Sequence, residues 1–108
     1  MDNIAEKVEA IAREYVNDVK KHIVVNKAII YGSFARGNFD QSSDLDIAIF
    51  SEDFNDKKFV EATAFLFSLA RRFNDICIEP VGFTNTDLNQ DNPFIKEIID
   101  TGKEIETH

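Results

Sequence analysis

What this chain has little of limits its chemistry first. A single cysteine, Cys77, rules out an internal disulfide and leaves no thiolate cluster for zinc. The two histidines, His22 and His108, are too few and too far apart in sequence to suggest an imidazole metal site. Tryptophan is absent, so large apolar surfaces must come from the 10 Phe and 2 Tyr. No apolar run approaches the ~18 residues that a membrane-spanning helix requires. Residues 1–10 include Asp2, Glu6, Lys7 and Glu9, which is unlike a secretory signal, and the expected location is cytoplasmic. Cationic side chains are also scarce, 12 against 20 acidic ones, for a formal net charge of −8. Nucleic-acid backbones and anionic membranes repel such a chain, so non-specific binding to either is disfavoured. An anionic small substrate needs cations or a nest of backbone N–H donors to offset that field.

The 108 residues, 44% hydrophobic and 30% charged, suit one soluble globular domain spanning residues 1–108. Ile4, Val8, Ile11, Ala12, Tyr15, Val19 and Ile23 recur at helical spacing and predict an amphipathic helix. Residues 24–31, rich in Val and Ile, read as a buried strand that halts at Gly32. A polar loop follows, with one helical turn at residues 33–36. Leu45, Ile47 and Ile49 then alternate with Asp44, Asp46 and Ala48, a strand with one apolar face and the carboxylates on the other. The linker between these two strands is too short for a helical crossover, which predicts antiparallel pairing.

Residues 56–72 predict a second helix, apolar almost all round between Phe59 and Ala70. Burial in the core is the favoured expectation; the alternative is a surplus face presented to another chain, a partner or a second copy. Ile76, Ile78 and Val81 mark a third strand ending at residues 80–82, where Pro80 suggests an edge or a strand end. Asp91 or Asn92 caps a short helix that starts at Pro93 and closes at Gly102.

Chemistry concentrates in Tyr31-Gly32-Ser33-Phe34-Ala35-Arg36-Gly37 and Ser42-Ser43-Asp44-Leu45-Asp46-Ile47. A glycine after a strand lets backbone approach a phosphate, and N–H groups opening a helical turn, with the Ser33 hydroxyl, donate to its oxygens. An ordinary turn with Ser33 as N-cap is the commoner use of such a pair. Asp44 and Asp46, two residues apart on a strand, share one face with Cα atoms about 7 Å apart. They repel each other unless a cation lies between them. Arg36 either neutralises phosphate charge or pairs with Asp40 or Asp44. Ser42 and Ser43 either touch phosphate and orient Asp44 or form the turn, the commoner role. Cys77 shares the parity of Glu79 and so lies on the carboxylate face, where it either lines the pocket or, the favoured expectation, is a buried structural thiol.

Together these residues resemble the Gly-Ser-x-Ala-Arg-Gly and Ser-Asp-x-Asp signature of the DNA polymerase β-like nucleotidyltransferase superfamily. They are most similar to its minimal nucleotidyltransferase branch. The match is dense over residues 31–50, and the order of flanking elements agrees with the family core. The resemblance implies an α/β (α+β) fold, a small mixed sheet with helices packed against it. It implies Gly32, Ser33, Arg36 and Ser43 at the nucleotide and Asp44 and Asp46 on a pair of Mg2+ ions, with Mn2+ as a substitute. The family also places a third acidic ligand on a later strand. Here that strand reads Asp75-Ile76-Cys77-Ile78-Glu79-Pro80, and both acids have the same parity; Glu79 is favoured because it lies inside the apolar run. The implied activity is transfer of a nucleoside monophosphate, AMP from ATP, to a hydroxyl acceptor. The implied partner is a helical HEPN-domain protein, with this chain as its antitoxin. A nucleotide-binding antitoxin that acts without catalysis is the rival reading.

Overall fold

The computed structural model describes residues 4–40, 43–89 and 91–106. The N-terminal amphipathic segment is helix α1 (Ile4–Lys20), which buries Val8, Ala12, Tyr15, Val16 and Val19 along one stripe. Strand β1 (Lys27–Tyr31) is shorter than the predicted residues 24–31, because Val24 stays outside the ladder and donates its N–H to Asp53 Oδ2 at 2.8 Å. Helix α2 (Ser33–Arg36) is the single turn expected after Gly32. Strand β2 (Leu45–Phe50) pairs antiparallel with β1 through Ala28 opposite Ile49 and Ile30 opposite Ile47.

A 3-10 turn (Glu52–Phe54), capped by the buried Ser51 hydroxyl accepting from Asp53 N–H at 3.0 Å, occupies the chain after β2. Helix α3 (Phe59–Ala70) therefore begins three residues later than residue 56. It serves as the crossover that lets strand β3 (Ile78–Phe83) lie parallel to β2. A second 3-10 turn (Asn85–Asn89) leads to helix α4 (Pro93–Thr101), whose cap is Asn92 Oδ1 accepting from Phe94 N–H at 2.9 Å. Strand β4 (Lys103–Ile105), which no sequence pattern announced, pairs antiparallel with β1. The sheet order is β3-β2-β1-β4, a mixed sheet with helices packed on it. Pro80 sits within β3, tolerated because β3 is an edge: the carbonyls of Cys77 and Phe83 accept from Leu45 and Ser51 N–H across the ladder, so the alternate position of Pro80 faces the open side.

Helices α1 and α3 cover one face, over Ala28, Ile30, Leu45, Ile47 and Ile49. Tyr15 ties them together: its buried hydroxyl donates to Leu66 O at 2.8 Å across 51 residues of sequence. Helix α4 covers the other face, where Ile95 and Ile98 pack on Ile29, Ala48 and Phe50. The expected one-sided strand is thus corrected: β2 is buried on both faces beyond Asp46, because α4 closes over Ala48 and Phe50. Gly102 ends α4 in extended backbone, φ −81 and ψ 172, rather than the left-handed form that usually calls for glycine. Space is its reason, since a Cβ there would overlap Ile98 O and Ile29 Cγ2.

The favoured expectation for α3, burial all round, is also corrected. Ala62, Leu66 and Ala70 form the buried stripe, while Phe59, Val60 and Phe67 are 54%, 73% and 42% exposed. A helix only 12 residues long on a small sheet has one side available for packing, so its surplus apolar side chains face outward.

Candidate active site

Three chain segments meet at one end of the sheet: the exit of β1 and the entrances of β2 and β3. Gly32 follows β1 with φ 78 and ψ −146, backbone that is nearly reserved for glycine. Gly32, not Ser33, holds the cap position of α2, and its carbonyl accepts from Arg36 N–H at 3.1 Å. The N–H groups of Ser33, Phe34 and Ala35 precede that first bond, so first-turn geometry leaves them without an intrahelical acceptor. Gly37, left-handed at φ 84, closes the turn by donating to Phe34 O at 3.1 Å. Phe34 packs edge-on against Phe39, centroids 5.6 Å apart, and anchors the following loop to the core.

That loop delivers Asp44. Ser43 is clipped to Asp40, donating from Oγ to Asp40 Oδ1 at 3.2 Å and accepting from Asp40 N–H at 3.1 Å. Ser42 lies outside the described residues. Arg36 is exposed, and its charge reaches Asp46.

The parallel register sets Glu79 directly across from Asp46. One step earlier, Leu45 N–H donates to Cys77 O at 2.7 Å, which brings Asp44 alongside Cys77. Ligand-capable atoms of Asp44, Cys77 and Glu79 all lie within 4.8 Å of one another. Asp46 stands outside this tight trio, half-buried against Gly32, yet its charge is felt by Glu79 and by Tyr31. Asp75 precedes β3 and is exposed on a different surface, beside Glu14 and Arg72. Of the two acids with equal parity, Glu79 therefore joins Asp44 and Asp46, and Asp75 does not. Cys77 is exposed, which corrects the expected buried thiol. Its parity with Glu79 had offered this place as the alternative reading.

The electrostatics reflect crowded negative charge. Burial, then the charge of Asp44, raises Asp46 above the ordinary carboxylate range, with Arg36 opposing. Glu79 is raised by burial, then by Asp44 and Asp46. Burial followed by Asp44 pushes the Cys77 thiol up, and burial followed by Asp46 and Glu79 pushes Tyr31 up to about 12. Each shift favours the neutral form, so the groups gain from an added cation. Carboxylate oxygens converging from two adjacent strands are a donor set that fits a hard divalent ion.

This fold and this acidic cleft beside a glycine turn define a nucleotide-handling α/β domain. The sequence matches the family model of the polymerase beta nucleotidyltransferases over residues 13–107, and the chain belongs to that family. Nucleotidyl transfer is the activity of the class, and a nucleotide is its substrate. A solved structure from Sulfolobus solfataricus, described as a candidate nucleotidyltransferase, shares the fold with a TM-score of 0.62. That likeness spans 79% of this chain and 74% of the other at 19% identity. No curated protein matches the sequence significantly. Among the described residues no helix is long and apolar enough to cross a membrane.

Proposed function

We propose that residues 1–108 act as one catalytic unit that moves AMP from ATP to a hydroxyl on a partner protein. The observation that carries this reading is the register of Glu79 against Asp46, with Asp44 close by and the Gly32 turn facing them. Gly32 and Ser33 receive the triphosphate through open amides at the first turn of α2. Arg36 adds positive charge at the rim, and Ser43, held by Asp40, sets the start of β2 beside the phosphates. Asp44, Asp46 and Glu79 hold Mg2+, two ions or Mn2+ in their place, which offset charge on the phosphates during in-line displacement. The acceptor oxygen bonds to the α-phosphorus, the bond to the β-phosphate bridge breaks, pyrophosphate leaves, and the hydroxyl proton passes to a carboxylate or solvent.

The proposed acceptor is a helical HEPN-type partner that this chain neutralises as an antitoxin in the cytoplasm. The exposed Phe59, Val60 and Phe67 of α3 support a protein partner, since large apolar side chains left outside the core on one helix suit an interface. A second copy of this chain is the other occupant that face can take.

The test is incubation with ATP labelled at the α-phosphorus, magnesium and the protein encoded beside this one. Label on that protein with wild type, absent with Asp46→Asn, supports the reading. Binding without label from wild type overturns catalysis and leaves an antitoxin that works by association alone.

A further inference from the structure

On the sheet face that carries Asp46 and Glu79, the neighbouring side chains are aromatic. The ladders set Tyr31 across from Asp46 and Asp46 across from Glu79, so the three form one row on one face. Helix α4 lies on that same face, with Tyr31, Val81 and Phe83 packed around its buried residues. Phe94, the second residue of α4, meets Tyr31 at 5.9 Å between centroids and Phe83 at 6.2 Å. Both contacts are edge-on, at 90° and 61°, and Phe94 remains 49% exposed. Packing of α4 gives no reason for a large ring at that place, since Ile95 and Ile98 supply its buried stripe.

The occupant of the open ring follows from tethering, and it rests on the triphosphate site proposed above. There the phosphates sit on the amides that follow Gly32, and Gly32 is bonded directly to Tyr31. The base is joined to those phosphates through a single ribose, so it lies within reach of Tyr31 and of the ring that Tyr31 touches. We propose that Tyr31 and Phe94 form the nucleobase subsite, in which the base of the nucleotide stacks on the open side of Phe94 and a purine is favoured over a pyrimidine. Any base offers a π-face to such a ring, and the larger purine face stacks more strongly. The base is also uncharged, so the net charge of −8 that opposes the phosphates does not oppose it.

The experiment measures binding to the full chain by calorimetry, with magnesium and without a partner, for ATP, UTP and inorganic tripolyphosphate. Phe94→Ala should weaken ATP about tenfold or more and leave tripolyphosphate within about twofold. Wild type should bind ATP more tightly than UTP, and that gap should narrow in Phe94→Ala. Phe94→Leu, which fills the same space without a ring, should show the same ranking and replaces Phe94→Ala if that variant does not fold. Because the chain has no tryptophan, Phe94→Trp places a single indole at the subsite. ATP should quench its fluorescence, and tripolyphosphate should not. ATP affinity unchanged in the ring-less variants overturns the subsite and leaves the triphosphate site standing. Equal loss of ATP and tripolyphosphate in folded Phe94→Leu shows a structural role only and also overturns it. Wild type that binds neither ATP nor tripolyphosphate overturns the triphosphate site and this inference with it.

Discussion

Asp46 rests its carboxylate on the bare side of Gly32, where a Cβ would overlap Asp46 Oδ2. The backbone at Gly32, φ 78, adds a second penalty for any side chain. Gly32→Ala should destabilise the fold by ~1–3 kcal/mol and displace Asp46 from Glu79. Urea denaturation beside the labelled-ATP assay reads both effects. A Gly32→Ala protein with unchanged stability and transfer would show that neither the contact nor the torsion matters.

The acidic cleft makes a signed prediction about pH. Glu79 is raised by burial, then by Asp44 and Asp46, so its neutral form is the favoured one in the fold. A carboxyl raised in this way contributes stability that is full below its unfolded pKa, about 4, and is lost as pH rises through the folded value. Glu79→Gln should therefore match wild type in acid and become the more stable protein as pH rises toward neutral, without cations. A stability difference that stays flat between acid and neutral pH sinks this account.

Equal parity but unequal placement separates two acids. Glu79→Gln should reduce transfer at least about a hundredfold, and Asp75→Asn should leave most of it, because Asp75 lies on a different surface. Rates of label incorporation decide, and the opposite ranking refutes the assignment of Glu79.

Tyr15→Phe should cost about 0.5–1.5 kcal/mol by removing the hydroxyl's bond to Leu66 O, which keeps its helical bond within α3. Transfer by the folded fraction should not change, since Tyr15 lies under α3 on the face away from the carboxylates. Equilibrium denaturation with an activity check reads the two separately.

On α3, Val60→Glu should leave the isolated chain within about 0.5 kcal/mol of wild type, because Val60 is exposed. Association with the partner should weaken, as seen in a pull-down with purified proteins. Undiminished association would move the interface elsewhere.

Most elements were legible because their signals are local. The stripe from Val8 to Val19, the halt of β1 at Gly32, and the Asn92-Pro93 start of α4 each depend on neighbours within a turn or two. The polar linker after β1 was short enough to require the antiparallel pairing that is observed. β4 escaped notice because Lys103-Glu104-Ile105 has no strand pattern; it is a strand only because β1 offers it an open edge. The outward side of α3 was misjudged because twelve residues of apolar sequence do not reveal how much surface is available to cover them.

By itself, the sequence determined that Asp44 and Asp46 share a face, that a glycine turn precedes them, and that the chain has the residues of its family, because strand periodicity and backbone permissiveness are properties of adjacent residues. Only the tertiary structure decided that Glu79 rather than Asp75 meets them, and that Cys77 stands with them. That choice depends on the register between β2 and β3, set by packing and ladder bonds between strands far apart in the chain.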